Sequence, residues 1–473
     1  MSSYTVVHEG MLSADQEKTY LHLPFEAPTD TARLEVEYSY SDRIGSDPLL
    51  TGGNTIDLGV FDSRGIDFLA AGFRGWSGSE RASFFIAEND ATPGYLAGPL
   101  TSGRWHVLLG LYKIAPQGCS YRVSITITTQ PERQPVQAPA GVAELRFAEL
   151  PFADLPSSPP PAPFAPWLRG ELHCHTWHSD GDMSATDLVK LARERGLDFL
   201  AVADHNTIAS QRELERVRDP GLVLIRGVEV TTFKGHFNAW GIPDWVDFRV
   251  RRPEDMQTAL QFANERGAVT SCGHPKPYGP PWEYPTVSNH HCVEVWNGPW
   301  TEFNQVSLDY WRKLLATGRC IPALGGSDYH RLSQMSQQPP RALGTPTVWA
   351  HVTGTPSAAS ILQAIRLGHI SLSEEPTGPF LDSRAGPGCT AMCGDVLVHS
   401  ANVRLPIQVR CQRSAGSQLR LLDQHGVLYA QDIASMDATL TTELALHASL
   451  YVRAELRTAG EQLRAMTNPV YLQ

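Results

Sequence analysis

A chain of 473 residues, 42% hydrophobic and 19% charged, is a folded protein of two or three domains, which excludes a disordered or fibrous chain. Its formal charge of -11, without a Lys/Arg-rich run, argues against nucleic acid as a large partner, because displacing counterions from phosphates takes a basic surface. No run of about 18 apolar residues occurs and no basic, apolar leader opens the chain, so a soluble, cytoplasmic protein with no membrane partner is expected.

Residues 1–150 read as an antiparallel β-sandwich. Leu34, Val36, Tyr38 and Tyr40 alternate with Glu35, Glu37 and Ser39; Trp105, Val107, Leu109 and Leu111 repeat the pattern, as do Tyr121, Val123, Ile125 and Ile127. Period two places those apolar side chains on one face of each strand. Residues 151–166 are Pro-rich and predict an extended tether, since proline lacks an amide proton and stiffens the chain.

In residues 167–375 short apolar runs alternate with helical patterns. Strands are expected at 168–172, 198–203, 222–228, 236–241, 268–272, 293–296 and 321–325. Ser184 and Asp187 form a capping box for a helix that ends at Gly196, and further helices are expected over 254–266, 304–317 and 357–367, each closed by glycine. Strand–helix alternation predicts a parallel sheet, and about seven such strands predict a closed barrel. Residues 376–473 return to alternation, as in Val403, Leu405, Ile407 and Val409, and predict a small C-terminal β-domain. The eight cysteines are scattered, with Cys389 and Cys393 the one close pair, and are expected to be reduced, mostly buried thiols.

Chemistry-bearing residues recur where the expected strands of the middle region end. His173, His175 and Asp180 follow the first, Asp204 and His205 the second, and Glu229 the third. His274 follows the strand at 268–272, and Asp328 and His330 follow the one at 321–325. Barrel enzymes place their active sites at the carboxyl ends of strands. One His-x-His pair is as often structural as functional, but five strand ends so furnished would bury many unpaired polar groups unless they shared ligands. Imidazole with carboxylate suits Zn, Mn or Fe, so two or three divalent ions are the expected cofactors. A hydroxide held between such ions attacks at neutral pH, and the ions neutralise charge on the substrate oxygens.

The stretch His173-Cys-His-Thr-Trp-His-Ser-Asp-Gly181, followed by Ala203-Asp-His205, Gly227-Val-Glu229, Gly273-His-Pro275 and Gly325-Gly-Ser-Asp-Tyr-His330, resembles the motifs of the PHP (polymerase and histidinol phosphatase) metallohydrolases, over about residues 167–375. The resemblance implies a distorted (β/α)7, TIM-like barrel, here flanked by the two β-regions, and a trinuclear site. Carried over, one ion sits on His173, His175, Glu229 and Asp328, a second on Glu229, His236 and His274, and a third on Asp180, His205 and His330. Asp180 stands where many relatives have histidine, and His178 competes for that place; His290 or His291 competes with His236, which leaves a binuclear site open. The flanking β-domains and Glu294-Val-Trp-Asn-Gly298 are most similar to the carbaryl-hydrolase (CehA/McbA) branch.

A hydrolase acting on a small-molecule phosphoester, mono- or diester, is the expected function, with Asp204, His178 and Lys276 as further catalytic candidates. Lys276, two residues beyond His274, would face the non-bridging oxygens, with Arg331 and Arg341 as other cations. The alternative is a carbamate, aryl ester or amide, which the aromatics Trp177, Phe237, Tyr278, Trp282, Tyr284, Trp296, Trp300 and Tyr329 could wall in. A distant alternative is a non-catalytic carbohydrate- or surface-binding protein; the β-domains also offer surfaces for oligomerisation.

Overall fold

The computed structural model describes residues 2–130 except 48, 167–398 except 218, 220 and 278, and 404–473. The Pro-rich tether expected at 151–166 lies outside these residues, as do Tyr278 and Val403.

The amino-terminal strands are β1 (Ser2–Leu12), β2 (Tyr20–Ala27), β3 (Thr31–Tyr40), β4 (Thr55–Phe61), β5 (Phe73–Gly78), β6 (Ser83–Ala87), β7 (Gly103–Lys113) and β8 (Cys119–Thr129). They form two four-stranded antiparallel sheets, ordered β1-β8-β3-β6 and β2-β7-β4-β5. The alternating residues meet between the sheets: Leu34, Val36, Val123 and Ile125 from one, Ile56, Leu58, Val107 and Leu109 from the other.

The middle region runs β9 (Trp167–Glu171), α1 (Ala185–Glu194), β10 (Phe199–Val202), α2 (Ala209–Leu214), β11 (Val223–Thr232), β12 (Gly235–Trp240) and α3 (Pro253–Glu265). It continues with β13 (Val269–Cys272), β14 (Cys292–Asn297), α4 (Asn304–Ala316), β15 (Ala323–Gly326), β16 (Thr347–His351), α5 (Ala358–Leu367) and β17 (Ile370–Ser373). Ser184 caps α1 by accepting from the Asp187 amide at 3.0 Å. All seven expected strands are present, in the order β15-β14-β13-β12-β11-β10-β9, with β16 and β17 beyond β9.

One expectation is corrected here. The sheet is not uniformly parallel: β9, β10 and β11 run together, as do β13, β14 and β15, but β12 is antiparallel to both its neighbours. Only Phe233 and Lys234 separate β11 from β12, too few for a crossover helix, so the chain makes a hairpin. The sheet curls into a half-barrel; β15 has no ladder to another named strand besides β14 among the described residues, but the chain just beyond it meets the chain just beyond β9 in an isolated parallel bridge, Cys174 to Tyr329. Leu172, Phe199, Val293, Trp296 and Val348 of the sheet region share its main core with Trp311 of α4.

The described residues of 376–473 are β-structured, yet they do not stand apart. β17 pairs with Leu463–Thr467, which carries the half-barrel sheet on into Tyr451–Arg457, Ser417–Asp423 and Gly426–Ile433. Leu381, Ile407, Val409, Leu421 and Ala454 form a core between this extension and a second, four-stranded sheet.

The sandwich is docked on the half-barrel through its second sheet. Phe61, Phe73, Trp76 and Leu108 share a core with Trp245, Phe248 and Met256, and Phe73 stacks on Trp245 with ring centroids 4.5 Å apart. Beneath this contact Asp247 is fully buried; it accepts from the Leu69 amide of the sandwich at 2.8 Å and pairs with Arg249 at 2.6 Å. Arg249 in turn donates to the carbonyls of Ile66 and Asp67. Removing one member of a buried ion pair strands the other, so Asp247→Ala is expected to cost about 3–5 kcal/mol. Denaturant unfolding measures this; a loss below about 1 kcal/mol would show that the pair does not hold the two units together.

Candidate metal centre

The ligand-type side chains gather at the carboxyl end of the half-barrel because most follow a strand that points there, while Glu229 lies within β11 near its end and His236 near the start of the antiparallel β12. Glu171, the last residue of β9, is fully buried and accepts the amides of His173 at 2.8 Å, Ser327 at 3.0 Å and Gly344 at 2.7 Å. It ties the loops after β9 and β15 together. His175 donates its amide to Tyr329, and Asp328 donates its own to His173. The β12 hairpin brings His236 opposite Thr231, on the same end as Glu229. His274 and Asp328 lie at positive φ, 21° and 52°, a region sparsely used by residues with a Cβ and frequent at functional sites.

At the centre is Glu229, with no solvent exposure. Its Oε2 lies 2.8 Å from His205 Nδ1, 3.3 Å from His173 Nε2 and 3.6 Å from His175 Nε2. Its Oε1 lies 3.0 Å from His236 Nδ1 and 3.2 Å from His274 Nε2. Three sets of potential ligand atoms lie within 4.8 Å of one another: His173, Glu229 and His274; His173, His175 and Asp328; and His175, Asp180, His205 and His330. His236 falls outside these sets but touches Glu229 with one nitrogen and leaves the other buried and unpartnered. His290 and His291 precede β14 and lie at the opposite, amino end, where the His291 ring contacts Thr270; they do not compete with His236.

Several hydrogen bonds fix which imidazole nitrogen is left for a ligand. His330 Nδ1 donates to the Asp328 carbonyl at 2.8 Å, which leaves Nε2 facing Asp180 Oδ2 at 3.4 Å. His173 Nδ1 donates to Glu294 Oε1 at 2.8 Å, which leaves Nε2 toward Glu229 and Asp328. Carboxylate–histidine pairing of this kind holds a metal-binding imidazole in the right tautomer. His173 Nε2, His175 Nδ1, Asp180 Oδ1, Glu229 Oε2, His236 Nε2 and His274 Nδ1 are buried without a hydrogen bond. So many unsatisfied atoms in one place would be costly in a metal-free protein. All are first-row metal ligand types, and the residues fit divalent ions.

The electrostatics agree. Burial alone would raise the Glu229 carboxyl, but His173, His205 and His236 outweigh it and hold its pKa well below the usual range. Burial likewise opposes ionisation of Asp180, and His330 with His205 overcomes it and pulls the value down to about 2. Burial, then His330 and His205, push His175 down to about 4, so it is a neutral imidazole. His205 goes the other way: burial disfavours its charge, but Asp180 and Glu229 prevail and lift it to about 10.

The three further catalytic candidates are placed outside the cluster. Asp204 accepts from the Thr176 amide, Thr176 Oγ1 and Ser179 Oγ at 2.7–2.8 Å, and so braces the loop that carries Asp180. His178 turns away: its ring lies 3.1 Å from Glu213 Oε2 and accepts the Gly94 amide of the sandwich. Lys276 is 1% exposed and donates to the Asn297 carbonyl at 2.7 Å and Asn304 Oδ1 at 3.2 Å, which pins the loop after β14. Of the other cations, Arg341 is buried beside Asp328, donating to the Ser327 carbonyl at 2.6 Å and pairing with Glu302. Arg331 is half-exposed at the rim, with Nη2 3.4 Å from the Asp180 carbonyl. Phe237, Trp296 and Tyr329 are buried in packing, whereas Trp177 is exposed at the rim.

Glu294 is the functional residue that motif reading passed over. Besides orienting His173, its Oε2 accepts the His274 amide at 3.0 Å, so one carboxylate positions two ligands. It sits in Glu294-Val-Trp-Asn-Gly298, within a strand rather than after one, so the pattern of strand ends does not mark it.

Residues 171–292 match the family described as PHP domain. Over 63 residues, 13% of this chain, the sequence is 46% identical to a 5'-3' exoribonuclease of Haemophilus influenzae, and the match spans 23% of that protein. Over 120 residues it is 22% identical to an uncharacterized protein of Methanocaldococcus jannaschii, covering 23% of this chain and 68% of that one. A solved two-domain protein from Bacteroides vulgatus, containing a predicted PHP-like metal-dependent phosphoesterase, aligns at 16% identity and a TM-score of 0.37, covering 64% of this chain and 95% of its own.

Because His205 holds its proton up to about pH 10 in the metal-free protein, an ion that uses this imidazole must displace that proton. Metal binding near pH 7 is therefore expected to release protons and to tighten as pH rises. Calorimetric titration of Zn or Mn in two buffers of different ionisation enthalpy reads the proton count directly. Proton uptake, or affinity that falls as the pH rises, would contradict this site.

Proposed function

We propose that this protein is a metal-dependent hydrolase of small phosphoesters, with two or three ions of Zn, Mn or Fe held by the nine residues around Glu229. The observation that carries the reading is the convergence of three ligand sets on one fully buried carboxylate. Divalent ions bound there would acidify water and neutralise charge that builds on the substrate oxygens. The residues themselves set the direction of approach. Asp180, His205, His330 and Asp328 retain 27%, 23%, 17% and 15% side-chain exposure, against 7% or less for His173, His175, Glu229, His236 and His274. Substrate therefore meets the Asp180–His205–His330 flank first.

Arg331, on that flank, is the cation we assign to the non-bridging oxygens, in place of Lys276. Two ligand positions bear directly on turnover: Asp328 lies against His173, His175 and His330, and His175 lies between two ligand sets. The likeness of 63 residues to an exoribonuclease supports phosphoester chemistry, and the chain's acidity favours a small substrate over a polynucleotide. Carbamate, aryl ester or amide hydrolysis is the second reading. It is favoured by exposed Trp177 at the rim and by Glu294-Val-Trp-Asn-Gly298, on which we base a placement near the carbaryl-hydrolase-like branch.

Asp328→Ala and His175→Ala are expected to abolish turnover of p-nitrophenyl phosphate while far-ultraviolet circular dichroism keeps its β signature. Full activity in both variants would remove the metal reading. Lys276→Met is expected to lower thermal stability and to affect phosphate and carboxyl esters alike; a loss confined to phosphate esters would restore Lys276 as a phosphate clamp.

A further inference from the structure

The sandwich face that meets the half-barrel carries polar groups that no protein hydrogen bond reaches among the described residues, close to the exposed flank of the ligand cluster. β4 sends Ile56, Leu58 and Val60 into the sandwich core, so Asp57, Gly59 and Phe61 point toward the half-barrel. Phe61 packs there, while Asp57 lies opposite Gly110 of β7. A Cβ on Gly59 would come within 2.7 Å of the Trp76 ring; one on Gly110 would lie 2.7 Å from the same ring and 3.2 Å from Asp57 Oδ2. The two glycines let indole and carboxylate lie flat on the sheet. A Cβ on Gly78 would stand 3.8 Å from both Asp57 Oδ1 and Trp76 Nε1, so the acceptor and the donor border one point.

Beside them, the Lys18 ammonium sits 3.6 Å from the Tyr112 ring centroid. Phe233 stacks on Tyr20 at 4.9 Å and closes that side from the half-barrel. Phe233 belongs to the β11–β12 turn, between Thr231, whose hydroxyl lies 2.6 Å from His205 Nδ1, and His236. The subsite wall and the ligand cluster therefore share a hairpin. Contacts that hold the sandwich against the rim include the Gly94 amide to His178, Thr207 Oγ1 to the Gly94 carbonyl, Arg81 to the Trp177 carbonyl, and Glu80 to Arg331. Among the described residues no hydrogen bond reaches the Asp57 carboxylate, Trp76 Nε1 or Lys18 Nζ. Burial lifts the Asp57 carboxyl to about 7 against the pull of Lys18 and His205, as befits a carboxylate that lacks a donor.

The charges narrow the occupant. An anion would be repelled by Asp57 and Glu80, and a further cation by Lys18. A hydroxyl avoids both penalties: it donates to the carboxylate and accepts from the indole N–H or the ammonium. We propose that Asp57, Trp76 and Lys18 form a subsite for the polyhydroxylated part, sugar- or polyol-like, of a phosphoester whose scissile group lies at the ligand cluster. The substrate class rests on the phosphoester reading; the subsite itself does not.

Asp57→Ala, with Asp57→Asn as the shape-conserving control, is to be compared with the unaltered metal-loaded protein. Losing a hydrogen bond to a charged group is expected to raise KM for inositol monophosphate about tenfold more than KM for p-nitrophenyl phosphate. Saturation-transfer NMR with phosphate-free inositol should show binding to the unaltered protein that Asp57→Ala abolishes, with melting curves to show that both variants fold. Inositol that fails to bind, or KM values that move equally for both phosphates, would overturn the subsite. If neither phosphate is hydrolysed while inositol binds through Asp57, the phosphoester reading falls and the subsite stands.

Discussion

A carboxylate buried without exposure must be surrounded by groups that hold its charge, and Glu229 is surrounded by five imidazoles. That requirement organises much of the molecule. Histidines must arrive from β9, β10, β12 and β13, so those strands must end on one side, and the hairpin at Phe233–Lys234 turns β12 round to deliver His236 there. A second layer of carboxylates then holds the loops still. Glu171 gathers amides from the loops after β9 and β15, Glu294 orients His173 and His274, and Asp204 braces the turn that carries Asp180. Each has its acceptors met by protein donors, whereas the inner residues keep atoms without a partner. The outer layer fixes geometry, and the inner one is left to bind.

Much of this was legible in the sequence because period and position carry it. Alternation in Leu34–Tyr40 and Trp105–Leu111 marks strands, and glycine or serine at helix ends marks α1 and α5. Eight of the candidate ligand positions stood out because they follow expected strands, whose ends converge in a half-barrel and make residues far apart in sequence neighbours; His236 came only with the family resemblance. What stayed hidden depends on three-dimensional partners. Nothing local distinguishes Lys276 as a loop clamp from Lys276 as a phosphate ligand; Asn297 and Asn304 decide it. His178 sits inside the first motif, yet Glu213 and Gly94 draw it away. Strand direction was misjudged at β12 because apolar runs do not encode it, although the two-residue link does.

The flanking β-structure is more than an attachment. The sandwich shares a core with α3 and the segment around Trp245, and its Gly94 loop touches the loop of the first motif. On the other side, β17 passes its ladder to the carboxyl-terminal strands, so the half-barrel edge is covered rather than exposed. A curled sheet that passes one edge on to further strands and has its mouth walled by a second unit can leave a deep polar cluster intact. Fixed surroundings are what let imidazoles and carboxylates stay unpaired by protein donors and remain available to an ion.

The central claim, that the residues around Glu229 are metal ligands, is tested most directly by anomalous diffraction at the Zn, Mn and Fe edges from crystals of the metal-loaded protein. Two or three anomalous peaks are expected within coordination distance of the His173–Glu229–His274, His173–His175–Asp328 and His175–Asp180–His205–His330 sets. Peaks elsewhere, or none in crystals grown with all three metals, would contradict it.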